Sequence, residues 1–416
     1  MYTTFTDRHP DLQKRCLLDV LCVPHNNFWC YRQTTLRRLP MSRYSLGSFL
    51  QKSAAFCGSV LGGIIVLSIF LAPVNSWSGE TFTITDTAGR KVEIPTNLQR
   101  IVTGPVVMPN LLFAVDGTGD KLVGMHPMSK SAWKNSVLKI MAPGMEKATT
   151  DFIQGGFKMN VEEVLKLKPD VVFQVSFEKG NIEQFEKLGI PVIVTHEGLR
   201  NLDHYLEKHI SLVGKVLQKE ERANELITDF KNADQMIAKR LTDIPKEKWP
   251  RGLILFNVEK LMVTGTGSFA NYWLNHTGAE NAAKAIQTSP RGATVNMEQI
   301  LAWNPEVIYI TNFCPTKPED LYNNTIPGQD WREISAVKNK RVYKIPLGEY
   351  RWYPPSGDSS LMLKWMAQKN HPEHFADYDI REEIRSHFTD IYNFTLSEAQ
   401  IDRILNPAST GSWREK

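Results

Sequence analysis

Between residues 80 and 200 short apolar runs alternate with stretches whose apolar residues recur at helical spacing. RIVTGPV (100–106), LVGMH (122–126), DVVFQV (170–175) and PVIVTH (191–196) are predicted strands. PNLLFAVDG (109–117), NVEEVLKL (160–167) and IEQFEKLG (182–189) are predicted helices. Strands separated by helices of this length imply a parallel sheet covered on both faces. The order then repeats: strands RGLILFNV (251–258) and LMVTG (261–265), helices SFANYWLNHTG (268–278) and NMEQILAW (296–303), strands EVIYIT (306–311) and RVYKIP (341–346).

No strand pattern interrupts residues 203–243, where Ala223, Leu226, Ile227, Phe230, Ala233, Ile237 and Leu241 lie on one helical face. Such a helix reaches roughly 30 Å at about 1.5 Å per residue. It either joins two lobes as a stiff connection or lies on the surface of one. The expected fold class is α/β, with two Rossmann-like βα lobes, each with a parallel sheet, joined by one long α-helix. The expected organisation is an extension and signal segment at 1–76, an N-terminal lobe at 77–202, a linking helical segment at 203–245, a C-terminal lobe at 246–395 and a tail at 396–416.

Residues 160–173, NVEEVLKLKPDVVF, and 296–309, NMEQILAWNPEVIY, are near-copies. Asn160 recurs as Asn296, Glu162 as Glu298, Leu165 as Leu301 and Pro169 as Pro305, which marks equivalent points on two related lobes.

A chain of 416 residues favours two domains. With 49 basic and 45 acidic side chains and no basic run interleaved with aromatics, nucleic acid is excluded as an expected partner. Cys16, Cys22, Cys30 and Cys57 precede the body, leaving Cys314 without a disulfide partner or a multi-thiolate cluster there. AAFCGSVLGGIIVLSIFLA (54–72) is an uncharged apolar run preceded by Arg43 and Lys52, with Val74 and Ser76 placed for cleavage before Trp77. It is also long enough to anchor the chain uncleaved. Either way the body is expected to be exported, with Met41 as the expected start of the signal.

Ligands of open α/β sheets collect beyond the carboxyl ends of strands. After RVYKIP come Tyr350, Arg351, Trp352 and Tyr353, which offer aromatic faces, a guanidinium for anionic oxygens and a phenol able to ligate ferric iron. His196 follows another strand, and Met108, Trp133, Phe177, Tyr272, Trp273 and Arg291 occupy segments expected near the same cleft. Tyr353 and His196 are the metal candidates. His371 and His374 have helical metal-pair spacing, but Pro372 separates them. No nucleophile elbow, zinc-protease motif, P-loop or dinucleotide fingerprint occurs in the right context, so no enzyme is expected.

The two lobes, the linking helix and the paired E-x-φ-L-x-x-x-P-[DE]-φ-φ motif resemble the substrate-binding proteins of ABC importers for iron complexes and cobalamin. TFTITDTAGRKVEIP is similar to that family's opening hairpin, and VKNKRVYKIP and LMLKWMAQKNHPEHF to its later landmarks. The resemblance implies a rigid bilobed periplasmic receptor, monomeric and without an intrinsic cofactor. It would carry a metal chelate, foremost a ferric siderophore, to a permease and its ATPase. It also implies that Glu162 and Glu298 dock onto permease arginines. Haem, cobalamin, molybdate or a nickel complex are alternative cargoes. A nitrogenase-like metal-cluster oxidoreductase is a remoter alternative, which the lone Cys314 opposes.

Overall fold

A computed structural model describes residues 79–195, 202–287 and 292–407. The signal segment, Met41, His196, Arg291 and residues 408–416 lie outside the described residues. Among the described residues no helix is long and apolar enough to cross a membrane.

The chain opens with the expected hairpin, β1 (Thr81–Thr85) antiparallel to β2 (Lys91–Pro95). Its turn is held by the buried carboxylate of Asp86, which accepts from the amides of Ala88 and Arg90 and pairs with the Arg90 side chain.

The first lobe runs β3 (Ile101–Thr103), α1 (Met108–Asp116), β4 (Leu122–Gly124), α2 (Pro127–Asn135), α3 (Leu138–Met141), a small hairpin of β5 (Ile153–Gly155) and β6 (Lys158–Met159), α4 (Val161–Lys166), β7 (Val171–Val175), α5 (Lys179–Lys187) and β8 (Val192–Thr195). Its sheet has the order β4-β3-β7-β8, all parallel. Side-chain alternation feeds two cores: Val102, Val172 and Val192 join Phe152 and Phe185 on one face, while Ile101, Val171, Phe173 and Ile193 face the other.

The segment expected as one linking helix is two: α6 (Leu202–Leu217) and α7 (Glu220–Arg240). Gln218 adopts a left-handed conformation, φ 54°, and breaks the rod. The two helices then pack against each other so closely that a β-carbon on Gly214 would come within 2.6 Å of the Ala223 methyl. The amphipathic face read from the sequence is real, since Ala223, Leu226, Ile227, Phe230, Ala233 and Ile237 are all buried.

The second lobe runs β9 (Arg251–Asn257), β10 (Met262–Val263), α8 (Phe269–His276), β11 (Glu280–Asn281), β12 (Ala293–Thr294), α9 (Met297–Trp303), β13 (Val307–Ile310), α10 (Pro318–Tyr322), α11 (Ser335–Lys338), β14 (Val342–Lys344) and α12 (Ser359–Asn370). The path β9-β13-β14 is parallel as expected, but β10 and β12 continue the sheet antiparallel. The connection from β9 to β10 is too short for a crossover helix, so the chain can only turn back. Leu253, Leu255, Ile308 and Ile310 pack into one core; Ile254, Val307 and Tyr309 face the core that also holds Ile101 and Phe173 of the first lobe.

Two further helices follow, α13 (Ile380–Tyr392) and α14 (Glu398–Leu405). The residues set apart as a tail therefore include a packed element, with Ile401 and Ile404 fully buried.

Candidate functional site

The segment after β14 folds back on itself immediately. The Gly348 amide donates to the Tyr350 carbonyl at 3.0 Å, and the Trp352 amide to the Pro346 carbonyl at 3.3 Å. Asp358, wholly buried, pins this loop: one oxygen accepts from the Glu349 amide at 2.8 Å and the Trp352 indole N–H at 2.9 Å, the other from the Tyr392 hydroxyl at 2.9 Å. Gly348 is required by contact, since a β-carbon there would stand 1.9 Å from the Asp358 carboxylate.

Behind Asp358 lies His387, whose ring nitrogens face Asp229 of α7 and Asp358, each at 3.4 Å. Burial alone would lower the His387 pKa, but the two carboxylates outweigh it and push it up to about 9. Glu349, also buried, goes upward too, first through desolvation and then through the neighbouring Asp358 charge.

The tip of the loop crosses to the first lobe. Ser136 Oγ donates to the Glu349 carbonyl at 3.0 Å, and the Tyr350 hydroxyl to the Val106 carbonyl at 3.3 Å. Arg351 is 1% exposed; its Nη1 donates to the Met128 carbonyl at 3.1 Å, and its guanidinium carbon lies 4.9 Å from the Phe313 ring centre and 5.6 Å from that of Tyr350. Its Nε has no partner. Burial pulls the Arg351 pKa down, while Tyr350 opposes the shift. Val106 and Met128 follow β3 and β4 and Phe313 follows β13, so carboxyl ends of strands from both lobes converge on Arg351.

The remaining expected residues take other places. Trp352 lies under the loop on Asp358. Tyr353 is buried in the second lobe, its carbonyl accepting from the Trp273 indole at 2.8 Å, and burial pushes its hydroxyl up to about 12. This works against the tyrosinate needed for a ferric ligand. Tyr272 stacks on His276 at 3.8 Å and Trp273 is fully buried, so both belong to the interior of the second lobe. Trp133 donates to the Ala142 carbonyl, and Met108 is buried at the start of α1. Among the described residues of the set Phe177 alone is open, 57% exposed beyond β7, edge-on to Phe157, which in turn meets His126. His371 is engaged by the Gly278 carbonyl, and no group of three or more metal-ligating side chains occurs among the described residues.

Sequence reasoning missed Phe313 and His126, although both follow strands and the same rule that selected Tyr350 would have found them. Asp358 and His387 carried no local signal.

The near-copies occupy equivalent places on the two lobes. Asn160 caps α4 by accepting from the Glu162 and Glu163 amides, and Asn296 caps α9 by accepting from the Gln299 amide. Both helices end in a left-handed residue before the shared proline, Lys168 at φ 46° and Asn304 at φ 41°. The acid after each proline clamps the first strand of its lobe. Asp170 accepts from the Arg100 amide, and Glu306 from the Arg251 amide. Each arginine returns a bond to the end of the helix, Arg100 Nε to Leu167 and Arg251 Nε to Trp303. Glu162 and Glu298 are exposed, and their carboxylates form no hydrogen bond or ion pair with the described residues. Leu165 and Leu301, one turn on, are 39% and 40% exposed.

Residues 109–347 match the family model described as periplasmic binding protein. The molybdate-binding protein MolA of Haemophilus influenzae is 28% identical over 329 residues, 74% of this chain and 90% of MolA. Among solved structures, a periplasmic solute binding protein of Veillonella parvula is 34% identical, spans 80% of this chain and 98% of its own, and superimposes with a TM-score of 0.72. Molybdate-bound MolA is 25% identical over 76% of this chain and 99% of its own, with a TM-score of 0.66.

Proposed function

The chain belongs to the periplasmic binding protein family, and we propose that, as the substrate-binding component of an ABC importer, it captures an anionic metal complex between its lobes. The observation that carries this reading is Arg351. A guanidinium buried among Phe313, Tyr350 and Met128, with one bond to the Met128 carbonyl and Nε unpaired, has no anionic partner. An anion reaching that edge would supply it.

A compact tetrahedral metal oxyanion suits the site best, because Phe313 and Tyr350 close on the guanidinium and Nε is the donor left unpaired. MolA, molybdate-binding by its name, supports the same choice. A ferric siderophore is the second reading. It is favoured by the open ledge of Phe177 and Phe157 beyond β7, which would cover a flat chelate.

Titration calorimetry with molybdate, tungstate, a ferric catecholate, haem and cobalamin tests both. One anionic metal species should bind at about micromolar concentration or below. Arg351→Met should weaken it more than about tenfold, while Arg351→Lys, which keeps the charge and loses the fork, should fall between. A flat response across the panel, or unchanged affinity in Arg351→Met, would overturn the reading.

A further inference from the structure

A cavity of about 630 Å³ opens on the second lobe between the end of α7 and α8, apart from the Arg351 loop. Its volume lies within the roughly 300 to 1,000 Å³ of small-molecule sites. Asp234, Ala238, Leu241, Lys246, Trp249, Asn271, Asn275, His276 and Glu280 are among its lining residues.

Both carboxylates there are already matched. Asp234 Oδ1 is 2.7 Å from His276 Nδ1, and Glu280 is paired with Lys284. Lys246 lies 5.5 Å from the Trp249 ring centre. Apart from that ammonium, which makes no ion pair, what remains without a partner is uncharged. The Trp249 indole N–H is buried and has no acceptor. His276, its Nδ1 committed to Asp234, leaves Nε2 without a hydrogen bond, and the side-chain amides of Asn271 and Asn275 make none. Ala238, Leu241 and the Trp249 ring add an apolar wall.

We infer that this cavity is a second binding site, for a neutral saccharide. Each sugar hydroxyl both donates and accepts, which suits an indole N–H, an imidazole nitrogen and two amides together. The C–H face of a pyranose suits the indole and leucine wall. A cation would find Asp234 and Glu280 already paired, and an anion would find only the exposed Lys246 ammonium.

The test uses the full chain. Glucose, N-acetylglucosamine, maltose and inorganic phosphate are titrated separately while the indole N–H resonances are followed by NMR. Trp249→Phe identifies the relevant signal. One sugar should move the Trp249 signal saturably. Asn271→Ala and Asn275→Ala should each weaken that binding by about tenfold and leave the affinity of the Arg351 site unchanged. No shift with any sugar, equal sugar affinity in both asparagine variants, or a saturable shift with phosphate alone would overturn the proposal. Since the Arg351 ligand is measured separately, failure here leaves the receptor reading intact.

Discussion

The loop after β14 is held in place by residues it does not contain. Tyr350 and Arg351 were legible because a guanidinium among aromatics directly follows a strand. Asp229, Asp358 and His387 were not, because their meeting depends on α7, α12 and α13 packing together. His387 makes that network pH-dependent. Its folded pKa of about 9 exceeds the ordinary histidine value of 6.5, so its contribution is fully present below about 6.5 and is lost as pH rises through about 9. A shift of this size corresponds to roughly 2 to 4 kcal/mol. Thermal unfolding followed between these two pH values should show a steeper fall in Tm for the wild type than for His387→Gln, and equal slopes would remove the charge from the account. Gly348→Ala should displace the loop from Asp358 and weaken ligand binding more than about tenfold, read by calorimetry. Unchanged affinity would mean that the loop has room the 1.9 Å contact denies.

At the scale of elements, the near-copies were legible as a repeat and their helix-to-strand boundary was placed correctly. Their internal logic was hidden, because Arg100 and Arg251 lie far along the chain from the Asp170 and Glu306 that they answer. Arg251→Ala should lower stability by about 1 kcal/mol through loss of bonds to the last carbonyls of α9, measured by urea unfolding; an unchanged midpoint would leave those bonds without weight. Glu162 and Glu298, each with an exposed leucine one turn on, are the proposed contacts with the permease. Glu162→Lys combined with Glu298→Lys should stop uptake while leaving ligand affinity intact. Leu165→Ser with Leu301→Ser should weaken receptor-stimulated ATPase activity. Lost ligand affinity in the charge variant would contradict a docking role.

For the whole molecule, the alternation of strands and helices revealed two βα lobes, because apolar periodicity is local. The break in the link was not visible, since Gln218 is an ordinary residue and the break comes from packing α7 back on α6. The antiparallel edge of the second sheet was missed because a two-residue strand, β10, carries too short a pattern to reveal its direction. A single apolar core passes through both lobes by way of α1, α6, α7 and α12, which resists a large hinge motion. Small-angle scattering should therefore give the same radius of gyration with and without ligand, and a resolved contraction would show that the lobes separate more freely than this core implies.

The repeat has one further consequence. A receptor docking through the proposed pair Glu162 and Glu298 would face a two-fold partner in either of two poses, half a turn apart. The Arg351 loop belongs to one lobe only, so the poses would differ in where a ligand released from it enters, and symmetry at the base would become polarity at the mouth.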